Sequence, residues 1–142
     1  MDKLIGTSML LLLLLLISYF AIAHPLFTWD IVPYVAATLS AQISEPSALH
    51  DATYQILQSS LSETQFSSLV SGPYAADLWK NSDHFSAQLN MYYVKPLYVA
   101  VLRAISGVGV NPITAVMGIS LISGLLICSL MFQWLKSVTT WT

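Results

Sequence analysis

Three apolar stretches and one long polar stretch set the pattern of the chain. Residues 4–23 are twenty residues without a charge, and at about 1.5 Å per residue they cover roughly 30 Å of bilayer. Residues 111–136 form a second long run, which begins with Asn111 and Pro112 and ends with Lys136, as suits the two ends of a helix. The pattern predicts that both runs cross a membrane.

A shorter apolar run, residues 92–110, lies just before the last one and contains Lys95 and Arg103. It suffices for a crossing if these two side chains extend toward opposite interfaces, with Tyr92, Tyr93 and Tyr98 as an aromatic belt. We therefore expect a third membrane helix, paired with residues 111–136 in a tight hairpin.

The polar stretch, residues 24–91, is predicted to form short amphipathic helices. Thr28 or Asp30 is suited to cap the first helix, and a second helix begins near Glu45. Ser62 and Gln65 have the spacing of a capping box, which predicts the start of a third helix. We expect their apolar stripes to lie on the membrane interface or on other helices. The predicted fold is an all-α integral membrane protein with three transmembrane helices, residues 4–23, 92–110 and 111–136. Residues 24–91 form a loop of short helices between the first two, and residues 137–142 form a tail.

Charge predicts which side of the membrane the loop occupies. Residues 24–91 contain six of the seven acids and all three histidines but only one basic residue, Lys80. By the positive-inside rule this loop faces away from the cytoplasm, with Lys3 and Arg103 on the cytoplasmic side. The predicted location is the plasma (inner) membrane.

The first apolar run also has features of a secretory signal peptide. Lys3 precedes it, and Ala21, Ile22 and Ala23 have the small-x-small form of a cleavage site before His24. Its apolar core is longer than the ~7 to 15 residues usual in signal peptides, which favours a retained helix.

Composition excludes several classes of function. The chain is 56% hydrophobic and 8% charged, with a net charge of −2, so it has no basic field to hold nucleic acid. A single cysteine, Cys128, excludes an intrachain disulfide and a cysteine-based zinc site. The histidine spacings match no compact metal-ligand motif, so we predict no cofactor, and a divalent metal has no support.

Asp30 and Lys95 are the two candidates for chemistry. Asp30 lies just beyond the first span, where a carboxylate at the edge of a low-dielectric region suits a general base, but it is also suited to cap the next helix. Lys95 lies at the mouth of a span, where its charge and the hydroxyl groups of Tyr92 and Tyr93 match a phosphate at headgroup level. The alternative for Lys95 is an interfacial anchor.

The order of these features resembles the start of the C-type glycosyltransferases, which use polyprenyl-phosphate sugars and include the aminoarabinose transferases and protein mannosyltransferases. Trp29 to Ala36 is similar to a segment of that group in which an Asp just after the first span begins a helix and a tyrosine follows a few positions later. In this chain the two residues are Asp30 and Tyr34. Tyr92 to Tyr98, with its Lys-Pro-Leu, and Gly107 to Ser120 are similar to later segments of the group.

The resemblance implies the beginning of an inverting glycosyltransferase, with Asp30 as the catalytic base and Lys95, Tyr34 and Tyr93 as substrate-binding residues. It departs from the group at Ile31, where a second acid is common. The implied partners are the bilayer, a polyprenyl-phosphate-linked sugar and further transmembrane helices of the same or another chain. The alternative is a small non-catalytic membrane subunit that packs on a larger partner through the small residues Ser120 and Gly124.

Overall fold

The computed structural model describes residues 2–139, and the side chains of residues 6–138. This part of the chain forms eight helices and no strand. In chain order the helices are α1 (Asp2–Ala23), α2 (Ile31–Leu39), α3 (Pro46–Ser60), α4 (Glu63–Leu69), α5 (Pro73–Lys80), α6 (Ser82–Leu89), α7 (Pro96–Gly107) and α8 (Pro112–Thr139).

Two of these helices are long and apolar enough to cross a membrane: Gly6–Ala23 within α1 and Pro112–Val138 within α8. Their large apolar side chains are exposed, for example Leu15 at 68% and Ile127 at 61%, which is not the pattern of a helix in a soluble core. The all-α class is thus confirmed, together with two candidate spans.

The third predicted span is not confirmed. Within residues 92–110 the structure has the twelve-residue helix α7, which at about 1.5 Å per residue is ~18 Å long, against roughly 30 Å for the hydrocarbon core. Its apolar side chains Val99 and Leu102 are buried. A helix of this length that buries one apolar face has the features of a packed helix of a small domain.

Residues Phe27–Met117 form a compact unit of their own. Helix α2 is its centre: all of its residues except Leu39 are buried, and it packs against α3, α6 and α7. Leu57 of α3, Phe85 of α6 and Leu102 of α7 are almost fully buried and contribute to this core. The apolar stripes of the short helices therefore pack on other helices, one of the two arrangements that we expected.

The helix ends in this unit follow from local hydrogen bonds. The predicted capping box is present, because Ser62 Oγ accepts from the Gln65 N–H at 3.3 Å and Gln65 Oε1 accepts from the Ser62 N–H at 3.0 Å. Glu45 accepts from two N–H groups at the start of α3, and these bonds lower the pKa of its carboxyl group. Asn81 both ends α5 and caps α6, which separates two helices that the sequence pattern had not revealed.

Candidate functional site

Two long-range hydrogen bonds join the start of α2 to the segment just before α7. The Tyr92 hydroxyl donates to Asp30 Oδ1 at 3.1 Å, and Lys95 Nζ donates to the Tyr34 hydroxyl at 2.6 Å. Asp30 and Lys95 are exposed, whereas Tyr34 is buried. We call these four residues the Asp30 cluster; it presents a carboxylate and an ammonium group on one surface of the compact unit.

The ring of Tyr34 is the fixed point of the Asp30 cluster. It packs edge to face with Tyr92, at a centroid distance of 5.2 Å, and with Tyr98, at 4.8 Å. Lys95 Nζ lies 5.3 Å from the centroid of the same ring, which adds a cation–π contact to its hydrogen bond. Because aromatic pairs of this geometry are favourable, the lysine is held in place by a rigid partner.

Asp30 stands at the N-cap position of α2, but its side chain makes no capping hydrogen bond. The residue has helical backbone angles, φ −57° and ψ −20°, instead of the extended angles typical of a capping residue. The first N–H groups of α2 donate to backbone oxygens instead, Ile31 to Thr28 at 3.1 Å and Val32 to Trp29 at 3.0 Å. The carboxylate is therefore not needed to cap the helix, while its catalytic role stays a prediction.

Electrostatics set the protonation of two residues of the cluster, Tyr92 and Lys95, at neutral pH. Burial, followed by the bond to the Asp30 carboxylate, raises the pKa of Tyr92 to about 12, so Tyr92 remains a hydrogen-bond donor. The hydrogen bond to Tyr34 raises the pKa of Lys95, so this lysine remains charged. The cluster therefore presents a charged ammonium group, which can hold an anion, and a phenol that donates to the Asp30 side chain.

Tyr93, also predicted to bind substrate, lies outside the Asp30 cluster. Its hydroxyl donates to Ser40 Oγ at 2.8 Å, at the other end of α2. Tyr92, which the sequence suggested for the membrane interface, takes the place beside Asp30 instead. Tyr92 and Tyr93 are consecutive residues in the turn between α6 and α7, and their side chains point in different directions.

His50 and His84 each lie within hydrogen-bond distance of an acid, and His24 stacks on Phe20. Nδ1 of His50 lies 3.0 Å from Asp51 Oδ1 and its Nε2 lies 3.2 Å from the Leu78 carbonyl oxygen, while His84 Nδ1 lies 2.7 Å from Asp77 Oδ2. Among the described side chains, those of residues 6–138, no three or more His, Cys, Asp or Glu residues are grouped so as to hold a metal ion.

Comparisons with models of known protein families, with curated proteins and with solved structures give no match to this chain. The resemblance to the C-type glycosyltransferases therefore depends on the short motifs around Asp30 and Lys95 and on their order. What the structure adds is the proximity of these two motifs in space.

Proposed function

We propose that this chain is the N-terminal part, or a truncated relative, of an inverting glycosyltransferase. The enzyme transfers a sugar from a polyprenyl-phosphate carrier to a hydroxyl acceptor outside the cytoplasm. The observation that supports this most is the Asp30 cluster, in which a carboxylate from one motif and a lysine from another share a surface next to two tyrosine rings. A base and an anion-binding cation are the two groups that this reaction requires of a protein.

In the proposed reaction Asp30 takes the proton of the acceptor hydroxyl while the acceptor oxygen forms a bond to the anomeric carbon. The bond from that carbon to the carrier phosphate breaks on the opposite face, and its electron pair leaves with the phosphate oxygen. Lys95 stabilises the added negative charge on the phosphate. Because the Tyr34 hydroxyl already holds Lys95 Nζ at 2.6 Å, little reorganisation is needed when the phosphate binds.

Binding of polyprenyl phosphate tests the role of Lys95. We expect Lys95→Gln to bind polyprenyl phosphate in nanodiscs about ten- to a hundred-fold more weakly than the wild type, because a charge-assisted contact is lost. Lys80→Gln is the matched control, since Lys80 is an exposed lysine at the end of α5. Equal affinity of the Lys95→Gln and Lys80→Gln proteins would leave Lys95 as an anchor, and no binding by the wild type would favour the non-catalytic subunit.

For the topology, we propose that α1 and α8 cross the plasma membrane and that everything between them lies on the non-cytoplasmic side. The packing of α7 on α2 within one compact unit supports this arrangement, because both helices then share a side. It leaves Lys3 and Lys136 on the cytoplasmic side and moves Arg103, which we expected there, to the other side together with Lys80 and Lys95. The support for this arrangement is therefore the packing of α7 and not the positive-inside rule.

Cysteine labelling separates this arrangement from three crossings. In a Cys128→Ser background, an impermeant thiol reagent added outside is expected to label both Ser59→Cys and Val108→Cys, because both positions are exposed on the compact unit. Labelling of position 59 alone would indicate that α7 crosses the membrane. N-terminal sequencing completes the test, since a mature chain that starts at His24 would show that the first segment is cleaved.

A further inference from the structure

A cleft with a volume of about 330 Å³ lies at the C-terminal end of α2, away from the Asp30 cluster at its start. Arg103 of α7 and Tyr93 form part of its wall, together with Ser40, Ser86 and Asn90. Leu49 and Leu89 provide an apolar side. The volume is at the lower end of the range for small-molecule sites, and a polar wall beside an apolar one is typical of them.

The guanidinium group of Arg103 is half-buried in this wall and has no carboxylate partner. Its Nε–H donates to the Ala37 carbonyl oxygen at 3.1 Å, and Nη2 donates to Ser40 Oγ at 3.0 Å. These bonds use two of its five N–H groups. Within the part of the chain that the structure describes, no other hydrogen bond or ion pair of Arg103 is found.

The charge of Arg103 is only partly compensated by its surroundings. The end of a helix carries roughly half a negative charge, so α2 balances about half of the guanidinium charge. None of the residues that line the cleft is an acid. Glu45, next to two lining residues, directs its carboxylate to the N–H groups of Ser47 and Ala48 instead. A half-buried cation with unused donors is stabilised when an anion joins it.

A second polar group lies in the wall of the cleft, at Ser86. The Ser86 hydroxyl is buried and has no hydrogen-bond partner among the described residues, and Ser86 lines the cleft. Buried polar groups in folded proteins are nearly always paired, and rotation of the Ser86 side chain toward the cleft would give this hydroxyl a partner on a bound ligand. The Ser40 hydroxyl, in contrast, is saturated, because it accepts from Tyr93 and Arg103 and donates to the Ala37 carbonyl oxygen.

We propose that this cleft binds an oxyanion, a phosphate or carboxylate group, through the Arg103 guanidinium group and the Ser86 hydroxyl, with an apolar part of the ligand against Leu49 and Leu89. The planar fork of an arginine suits two oxygens of such a group at once. The source of the oxyanion is a small soluble molecule or the headgroup of an anionic lipid. The site does not depend on the proposed sugar transfer, which uses the Asp30 cluster.

The test uses the full chain and two probes. Inorganic phosphate is titrated into the protein in neutral detergent at constant ionic strength, with binding followed by calorimetry and by the rise in melting temperature. In parallel, melting temperatures are compared in nanodiscs of phosphatidylcholine with and without phosphatidylglycerol. We expect Arg103→Gln to weaken binding about ten- to a hundred-fold.

Because Arg103 also holds the end of α2, a second variant blocks the cleft and keeps the arginine. Ser44→Trp adds a large side chain at an exposed lining position, and Ser59→Trp, on an exposed part of α3, is its control. We expect Ser44→Trp to lose binding and Ser59→Trp to retain it. A response to phosphate alone supports a soluble ligand, and a response to phosphatidylglycerol alone supports a lipid.

Three outcomes would overturn the proposal. One is that the wild type responds to neither probe. Another is that the Arg103→Gln or the Ser44→Trp protein binds the probe as tightly as the wild type does. The third is that binding survives Arg103→Gln and disappears in Lys95→Gln, which would assign the anion to the Asp30 cluster and leave the proposed function intact.

Discussion

Replacement of Asp30 by alanine is expected to leave the stability of the compact unit almost unchanged. The reason is that the carboxylate makes no capping bond to α2, whose first N–H groups donate to the carbonyl oxygens of Thr28 and Trp29. Among the described residues, the substitution removes one hydrogen bond, which Tyr92 donates at 3.1 Å at an exposed position. A surface change of this kind shifts the free energy of unfolding by no more than about 0.5 kcal/mol.

A true cap sets the scale for comparison. Ser62 caps α4 through a complete capping box, and loss of such a side chain costs about 0.5 to 2 kcal/mol, with a typical value near 1 kcal/mol. Ser62→Ala is therefore the positive control. Tyr92→Phe is the matched variant, because it removes the same hydrogen bond as Asp30→Ala and keeps the aspartate.

Pulse proteolysis in increasing urea measures these differences, because a brief exposure to protease digests only the unfolded fraction. We expect Asp30→Ala and Tyr92→Phe to unfold near the wild-type urea midpoint and Ser62→Ala to unfold clearly earlier. If Asp30→Ala is destabilised by about 1 kcal/mol while Tyr92→Phe is not, the carboxylate caps α2 after all. Asp30 would then be a structural residue that α2 needs, and not a carboxylate free for chemistry.

Two further predictions concern the core and the protonation of the unit. Leu102→Ala is expected to lower the free energy of unfolding by about 2 to 5 kcal/mol in the same assay, because the side chain is fully buried. The control Val101→Ala, at the neighbouring exposed position, is expected to change the free energy of unfolding by no more than about 0.5 kcal/mol. Tyr92 is expected to titrate near pH 12 in NMR spectra of the ring-labelled protein and at a lower pH in Asp30→Asn, where burial alone still keeps its pKa raised. Since the pKa is raised on folding, the contribution of Tyr92 to stability is complete below pH 10 and is lost as the pH rises toward 12. The same Tyr92 pKa in the wild type and in Asp30→Asn would contradict the contact with Asp30.

Local signals in the sequence predicted much of the fold. The charge-free runs revealed α1 and α8, and the spacing of Ser62 and Gln65 located the start of α4. Helices α5 and α6 were missed because Asn81 ends one and caps the other, so no loop marks their boundary. Helix α7 was expected to span because apolar residues suit lipid and a protein core equally well. Its length of twelve residues and its packing on α2 leave that span unconfirmed.

The candidate site was predictable by residue type but not by arrangement. Asp30 and Lys95 stand out because they are charges at the edges of apolar runs. Their proximity depends on Tyr34 and Tyr92, which meet across more than fifty residues of intervening chain, and periodicity carries no information about such long-range contacts. The separation of Tyr93 from its neighbour likewise follows from the turn in which they lie.

The most direct test of the central claim compares sugar transfer by the wild type and by Asp30→Asn. Membranes from cells that express the intact gene are supplied with a labelled polyprenyl-phosphate sugar, and carrier binding is measured in the same preparations. Asparagine keeps the size of the side chain and its bond from Tyr92 but cannot accept the proton. We predict unchanged carrier binding and a loss of transfer of about a hundred-fold or more, the usual contribution of a general base. Transfer within a few-fold of the wild type would contradict the proposed role of Asp30.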